Sequence, residues 1–239
     1  MAVAEVDVIR WGAERARTGP WRGNGRIAYL TPLPDAPIPS AAFVRRCCSV
    51  LASRGYSQVV TGALAPAEAS GFLTAGFEIE ERLYLLGRDL RDLPSASRAV
   101  HMRQAHPADR PAVLTIDSAA FPPFWRLDPS GLDDAVHATP HARFRVSPGG
   151  DAGVIAYAVT GRAGRRGFVQ RLAVHPERQR AGVGRALVLD GLRWLKRWRC
   201  ERVVVNTQLQ NGAALALYES LGFTREPSGL SVLSLGLDR

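Results

Sequence analysis

Residues Val174-His175-Pro176-Glu177-Arg178-Gln179-Arg180-Ala181-Gly182-Val183-Gly184-Arg185 decide how this chain is to be read. They join an apolar run, Gly167 to Val174, to a segment from Gly182 to Trp198 that carries Val183, Leu187, Trp194 and Trp198 at helical spacing. A strand therefore turns into a helix, and the core of the turn is Gln179-x-x-Gly182-x-Gly184. The first N–H groups of a helix have no internal partner, and the helix dipole favours negative charge there. Glycines let a pyrophosphate approach the backbone closely. Arg180 and Arg185 add charge-assisted contacts to phosphate oxygens. The same two glycines also suit a plain tight turn. The spacing is not that of a P-loop, because no Gly-Lys-Ser/Thr follows, and GxGxxG is absent.

Downstream, Arg202 to Thr207 is a short β-branched run and reads as a buried strand. Asn211 to Leu221 is rich in alanine and leucine and reads as a helix, which Gly222 ends. Ser231 to Leu237 alternates as a terminal strand. Upstream, Ala142 to Val146, Gly153 to Thr160 and Gly167 to Val174 are strands separated by turn residues. Arg98 to Gln104 reads as a first strand, Pro107 to Ala120 as a helix, Phe121 to Pro129 as a loop or broken helix, and Leu90 to Ser97 as a linker. Short-turn antiparallel strands followed by helix–strand–helix–strand make a mixed α/β layer, mostly antiparallel, twisted and flanked by helices.

Gly182 and Gly184 gain meaning from what lies downstream. Gln179-Arg180-Ala181-Gly182-Val183-Gly184 resembles the (Q/R)xxGx(G/A) signature of the GNAT superfamily of N-acetyltransferases. Asn211, Ala214, Tyr218 and Leu221-Gly222-Phe223 resemble its N-x-A-x-x-Y-x-x-x-G-F pattern. The wider resemblance covers about Arg98 to Leu237. Within the superfamily it looks most like bacterial N-terminal-alanine acetyltransferases of ribosomal proteins.

The resemblance implies an acyl-CoA N-acyltransferase fold and direct attack of a primary amine on acetyl-CoA. It gives the backbone of Leu172, Ala173 and Val174 the pantetheine and the thioester carbonyl. It gives Gln179, Arg180, Ala181, Gly182, Val183, Gly184 and Arg185 the diphosphate. It makes Tyr218 the general acid for the departing thiolate, against a bland reading as a packed helix tyrosine. Asn211 contacts the coenzyme, caps its helix, or does both. The relatives' general base, a glutamate five residues before the motif asparagine, falls here on Asn206, which cannot take a proton near neutral pH. His137 and His141 are the other candidates for that role.

An internal repeat is expected as well. A shift of about 146 residues carries Gly76-Phe77 onto Gly222-Phe223 and Phe72 onto Tyr218. The element order repeats too: helix 40–53, strand 56–61, helix 66–75, strand 77–86. The first copy lacks the chemistry, with Pro34-Asp35-Ala36-Pro37-Ile38-Pro39 at the phosphate turn, Phe72 at the tyrosine and Ala65 at the asparagine. The pattern resembles the tandem arrangement of the mycothiol synthase type. The expected domains are 1–93, a degenerate partial copy, and 94–239, the catalytic domain.

Composition bounds the rest. The chain has 239 residues, 46% hydrophobic, with no apolar run long enough for a transmembrane helix and no signal-peptide pattern at its start. Three cysteines without framework or CxxC spacing argue against disulfides and structural zinc. A cytoplasmic setting, no metal and no membrane are expected. The net charge of +9 is a basic surface or an attraction for polyanions. No zinc-finger spacing, RNP-type strand or clear helix-turn-helix supports nucleic acid. A non-catalytic acyl-CoA-binding regulatory module is the alternative to an enzyme. The acceptor amine, on a small molecule or a polypeptide N-terminus, is unread, and a monomer or a homodimer fits.

Overall fold

The computed structural model describes residues 7–95, 100–150 and 153–237. Its elements, in chain order, are β1 (Asp7–Trp11), β2 (Glu14–Trp21), β3 (Asn24–Pro32), α1 (Ala41–Ser53), β4 (Gln58–Thr61), α2 (Pro66–Thr74), β5 (Glu78–Asp89) and β6 (Arg103–Gln104). They continue with α3 (Arg110–Ala120), α4 (Pro129–His137), β7 (His141–Pro148), β8 (Val154–Ala163), β9 (Arg166–Val174), α5 (Val183–Arg197), β10 (Arg202–Gln208), α6 (Gly212–Ser220), β11 (Thr224–Arg225) and β12 (Leu230–Gly236). Two compact units share them. The first comprises Met1–Leu85, Asn206–Gln210 and Glu226–Arg239, and the second Leu86–Val205 and Asn211–Arg225.

In the first unit β1, β2 and β3 form an antiparallel meander. β3 runs parallel to β4, and β12 lies antiparallel to both β4 and β5. A parallel neighbour needs a crossover, which α1 supplies. The Ser40 hydroxyl accepts from the Phe43 N–H and starts that helix. Leu30, Phe43, Leu51, Val59, Phe72, Phe77 and Leu233 form the core.

In the second unit β6, β7, β8 and β9 are successively antiparallel, and β10 is parallel to β9. Strand side chains alternate between faces, and β8 shows how this builds two layers. Tyr157 and Val159 meet Val113 and Ile116 of α3 and Leu132 of α4, together with Val146 and Ala173. Ala156 and Ala158 face the other way, onto Val183 and Leu187 of α5, where Leu172 and Val174 also pack. The small alanines let that helix lie close.

The mixed, mostly antiparallel sheet with flanking helices matches the sequence reading, as do the positions of β7 to β9, α5, β10, α6 and β12. Some elements differ. The strand expected over Arg98 to Gln104 is a two-residue rung, Arg103–Gln104, within what is described, since residues 96–99 lie outside it. The expected helix from Pro107 begins as a single 3-10 turn, Pro107–Asp109, because the Asp109 carboxylate binds both the His106 N–H and Arg103. The linker expected at Leu90 is anchored at its start: Leu90 is 3% exposed and its N–H donates to Glu201 O. Helix α4 had no counterpart in the sequence reading.

Candidate acyl-donor site

The site is built where β9 parts from β10. Their ladder has three rungs: Arg202↔Arg166, Val203↔Gly167 and Val204↔Phe168. Two residues beyond Phe168 the register of β9 against β8 shifts, with Thr160 opposite Val169 and Val159 opposite Arg171. Gln170 is thus the extra residue of a β-bulge. A bulge bends its strand and raises the local twist. Among the described residues no strand pairs the outer edge of β9 from Val169 to Val174. The strand assigned to the pantetheine, Leu172-Ala173-Val174, lies on that open edge.

The helix start follows directly. Pro176–Arg178 makes a 3-10 turn, and the Gln179 side-chain Nε2 donates back to Val174 O at 3.2 Å. Arg180 and Gly182 take left-handed backbone, with φ of 59° and 82°. For Gly182 that conformation is the reason for glycine, because a Cβ there would meet nothing within 4 Å. Gly184 differs: its Cβ would lie 3.4 Å from Val174 and 3.5 Å from Leu217, so the start of α5 sits close on β9 and α6. The Ala186 N–H is bonded to Gly182 O, and no side chain caps the helix. The amides of Val183, Gly184 and Arg185 precede that first turn and stand at the positive end of the dipole. By contrast, Ser40, Asp128 and Asn211 cap α1, α4 and α6 with their side chains. Gln179, Arg180, Ala181 and Gly182 are exposed, as an external ligand requires.

Arg185 is turned toward α6, donating to the Ser220 hydroxyl at 2.9 Å and the Ser220 carbonyl at 3.2 Å. Asn211 accepts from the Ala214 N–H at 3.1 Å and caps α6. Tyr218 is 5% exposed and packs on Phe223 with ring centroids 5.6 Å apart. Burial pushes its hydroxyl pKa well above the usual phenol value, and the Arg171 charge pulls weakly the other way. The hydroxyl is therefore held protonated at neutral pH, as a proton donor must be.

His137 and His141 are both exposed. A His137 ring nitrogen lies 2.9 Å from Asp133 O, and His141 sits on β7 opposite Arg162. Asn206 is exposed and belongs to the first unit. The sequence reading missed Arg171, whose partner lies 54 residues away. Among the described residues no group of three or more His, Cys, Asp or Glu could hold a metal ion. No described helix is long and apolar enough to cross a membrane.

Residues 111–223, the stretch that holds the open strand edge and the uncapped, glycine-started helix, match the acetyltransferase (GNAT) family. It is 40% identical over 62 residues to N-alpha-acetyltransferase 30 of Xenopus laevis, covering 26% of this chain and 23% of that protein. It is 45% identical over 61 residues to the mycothiol acetyltransferase of Amycolatopsis mediterranei, covering 26% of this chain and 20% of that protein. The match thus spans about a third or less of the length of the curated relatives. In fold it is similar to a tandem GNAT protein from the clavulanic acid biosynthesis pathway, with a TM-score of 0.71 at 13% identity over 97% of this chain and 82% of that one.

Proposed function

We propose that the chain transfers the acetyl group of acetyl-CoA to a primary amine by direct attack, without a covalent enzyme intermediate. One observation carries the reading. The uncapped start of α5, the open edge of β9 and the buried Tyr218 belong to one unit, and Gly184 lies against Val174 of that strand and Leu217, the neighbour of Tyr218 on α6. Amides at 183–185, with Arg180, suit the diphosphate. The outer edge of Leu172 to Val174, which no described strand pairs, suits the pantetheine and offers a donor to the thioester oxygen as charge develops on it. Tyr218 returns a proton to the departing thiolate. The family match over residues 111–223 supports acetyl-CoA as cosubstrate, and three free buried cysteines accord with a reducing cytoplasm.

The acceptor is an amine on a polypeptide N-terminus or a small molecule, in keeping with the names of the two kinds of relative. Its wall is the segment from Phe121 to Ala142. Residues 1–93 are read as a degenerate copy beside a catalytic 94–239, in a monomer or homodimer. The test is release of free thiol from acetyl-CoA by the purified chain, against peptides with free α-amino groups and small-molecule amines. Turnover with one amine class supports the proposal. Tight acetyl-CoA binding without turnover on any amine would favour a non-catalytic acyl-CoA module, the reading that Asn206 at the base position favours.

A further inference from the structure

Asp117, at the end of α3, has a fully buried carboxylate that gathers four donors. Tyr157 Oη donates to it at 2.5 Å, Arg171 Nε and Nη2 at 2.8 Å each, and the Leu127 N–H at 2.7 Å. Arg171 Nη2 also donates to Trp125 O at 2.6 Å, and the guanidinium carbon lies 3.6 Å from the centre of the Phe121 ring. Four segments meet here: the end of α3, the stretch from Phe121 to Leu127, β8 through Tyr157, and β9 one residue before Leu172. All belong to the second unit.

A buried ion pair is a poor device for stability alone, since well-packed apolar residues of the same volume serve as well or better. What such a pair supplies is direction. The guanidinium fork fixes two planes at once. The stretch it grips carries Pro122 and Pro123, which have no N–H to donate, and a single 3-10 turn, Pro123–Trp125, in place of a longer helix or a strand. We propose that the Arg171–Asp117 pair is a positioning device, clamping the acceptor wall at Phe121 to Leu127 onto the strand that holds the donor. Gln170 marks why the clamp sits at this place. The bulge bends β9 just before Arg171, so the strand that opens for the coenzyme also swings the guanidinium under the wall.

The inference rests on the acetyltransferase reading, but its test does not need an identified acceptor. Hydrogen exchange on the full chain reads the amides of 121–127, and calorimetry reads acetyl-CoA affinity. Lysine keeps the charge but loses the fork, so Arg171→Lys is expected to speed exchange across 121–127 by about tenfold, the effect of one lost charge-assisted bond. Exchange in α5 and acetyl-CoA affinity should stay within about twofold of wild type, since no bond there is removed. With a peptide bearing a free N-terminal alanine, the amine KM should rise while acetyl-CoA affinity holds. Phe121→Ala leaves the pair intact and should give a smaller change in the same direction, which keeps the test readable if the lysine variant is unstable. Unchanged exchange over 121–127 in both variants, or loosening of α5 in step with that stretch, would overturn the clamp. Wild-type chain that binds no acetyl-CoA would instead sink the proposed function, while the exchange still reports on the clamp.

Discussion

Helices α2 and α6 end alike but carry different rings, phenylalanine in one and tyrosine in the other. The shift that carries Gly76-Phe77 onto Gly222-Phe223 also carries Pro66–Thr74 onto Gly212–Ser220. Both end in a left-handed glycine, with φ of 100° at Gly76 and 82° at Gly222. The Phe77 N–H returns to Phe72 O at 3.1 Å, and the Phe223 N–H to Tyr218 O at 3.1 Å. Each helix packs a ring on the phenylalanine after the glycine, at 5.2 Å in the first case and 5.6 Å in the second. Only Tyr218 carries a proton to give. The helix starts upstream diverge further. The start of α1 is closed by the Ser40 hydroxyl, and the Ser40 N–H is taken by a Glu14 carboxylate at 2.5 Å. A carboxylate there repels the anion that the bare start of α5, with arginines beside it, would attract. The helix end is thus alike in both places, and the proposed chemistry falls to the few groups that this helix end does not need.

The comparison breaks or sharpens on four measurements. Tyr218→Phe should lower kcat by about 10²- to 10⁴-fold, the usual worth of a positioned acid, with acetyl-CoA affinity nearly unchanged. Phe72→Tyr should leave kcat alone, and equal losses of kcat and affinity at Tyr218 would make it a packing residue. Gly182→Val forces a β-branched side chain into left-handed backbone at a cost of about 1–3 kcal/mol, and should weaken acetyl-CoA binding by roughly tenfold or more by calorimetry. Asn211→Ala should destabilise the chain by about 1 kcal/mol in urea melts, while Ala65→Asn, at the corresponding and uncapped position, should stabilise it by up to about 1 kcal/mol.

The smallest effect is in pH. Burial raises the Cys47 thiol to about 12 and the Cys48 thiol to about 11 from an ordinary 9.0. A raised folded pKa gives stability that is whole below 9.0 and lost as pH climbs through those values. Asp109, held by Arg103 to about 2 from 3.8, contributes the opposite way, with stability present above 3.8 and lost as pH falls toward 2. Urea melts across pH should show stability falling at the alkaline end, where these thiols titrate, and at the acid end, where Asp109 does.

Much of the second unit is legible because its signals are local. Gly182-x-Gly184, the β-branched run at Val203 to Val205 and the Gly222 stop each decide an element within a few residues. The start of the chain is not legible in that way. β2 reads Glu-Arg-Ala-Arg-Thr-Gly-Pro-Trp, and β3 begins Asn-Gly-Arg, so arginine, glycine and proline mask the alternation. Those strands hold because Ala16, Ala28 and Leu30 fall on a shared core. Helix α4 hides behind prolines, and it starts only because the Asp128 carboxylate accepts from the Gly131 N–H. The bulge and the Asp117–Arg171 pair are invisible for a different reason: each is a relation between strands or segments far apart in sequence. The residues proposed for the donor site were readable as types and spacings, but the open edge they line was not.

That edge opens beside a single supernumerary amino acid. Without Gln170, β9 would regain an unbroken alternation against β8 and lose its kink. Deleting it is expected to let the strand go on zipping to its parallel neighbour past Phe168, so that one inserted residue would be what keeps a sheet ajar.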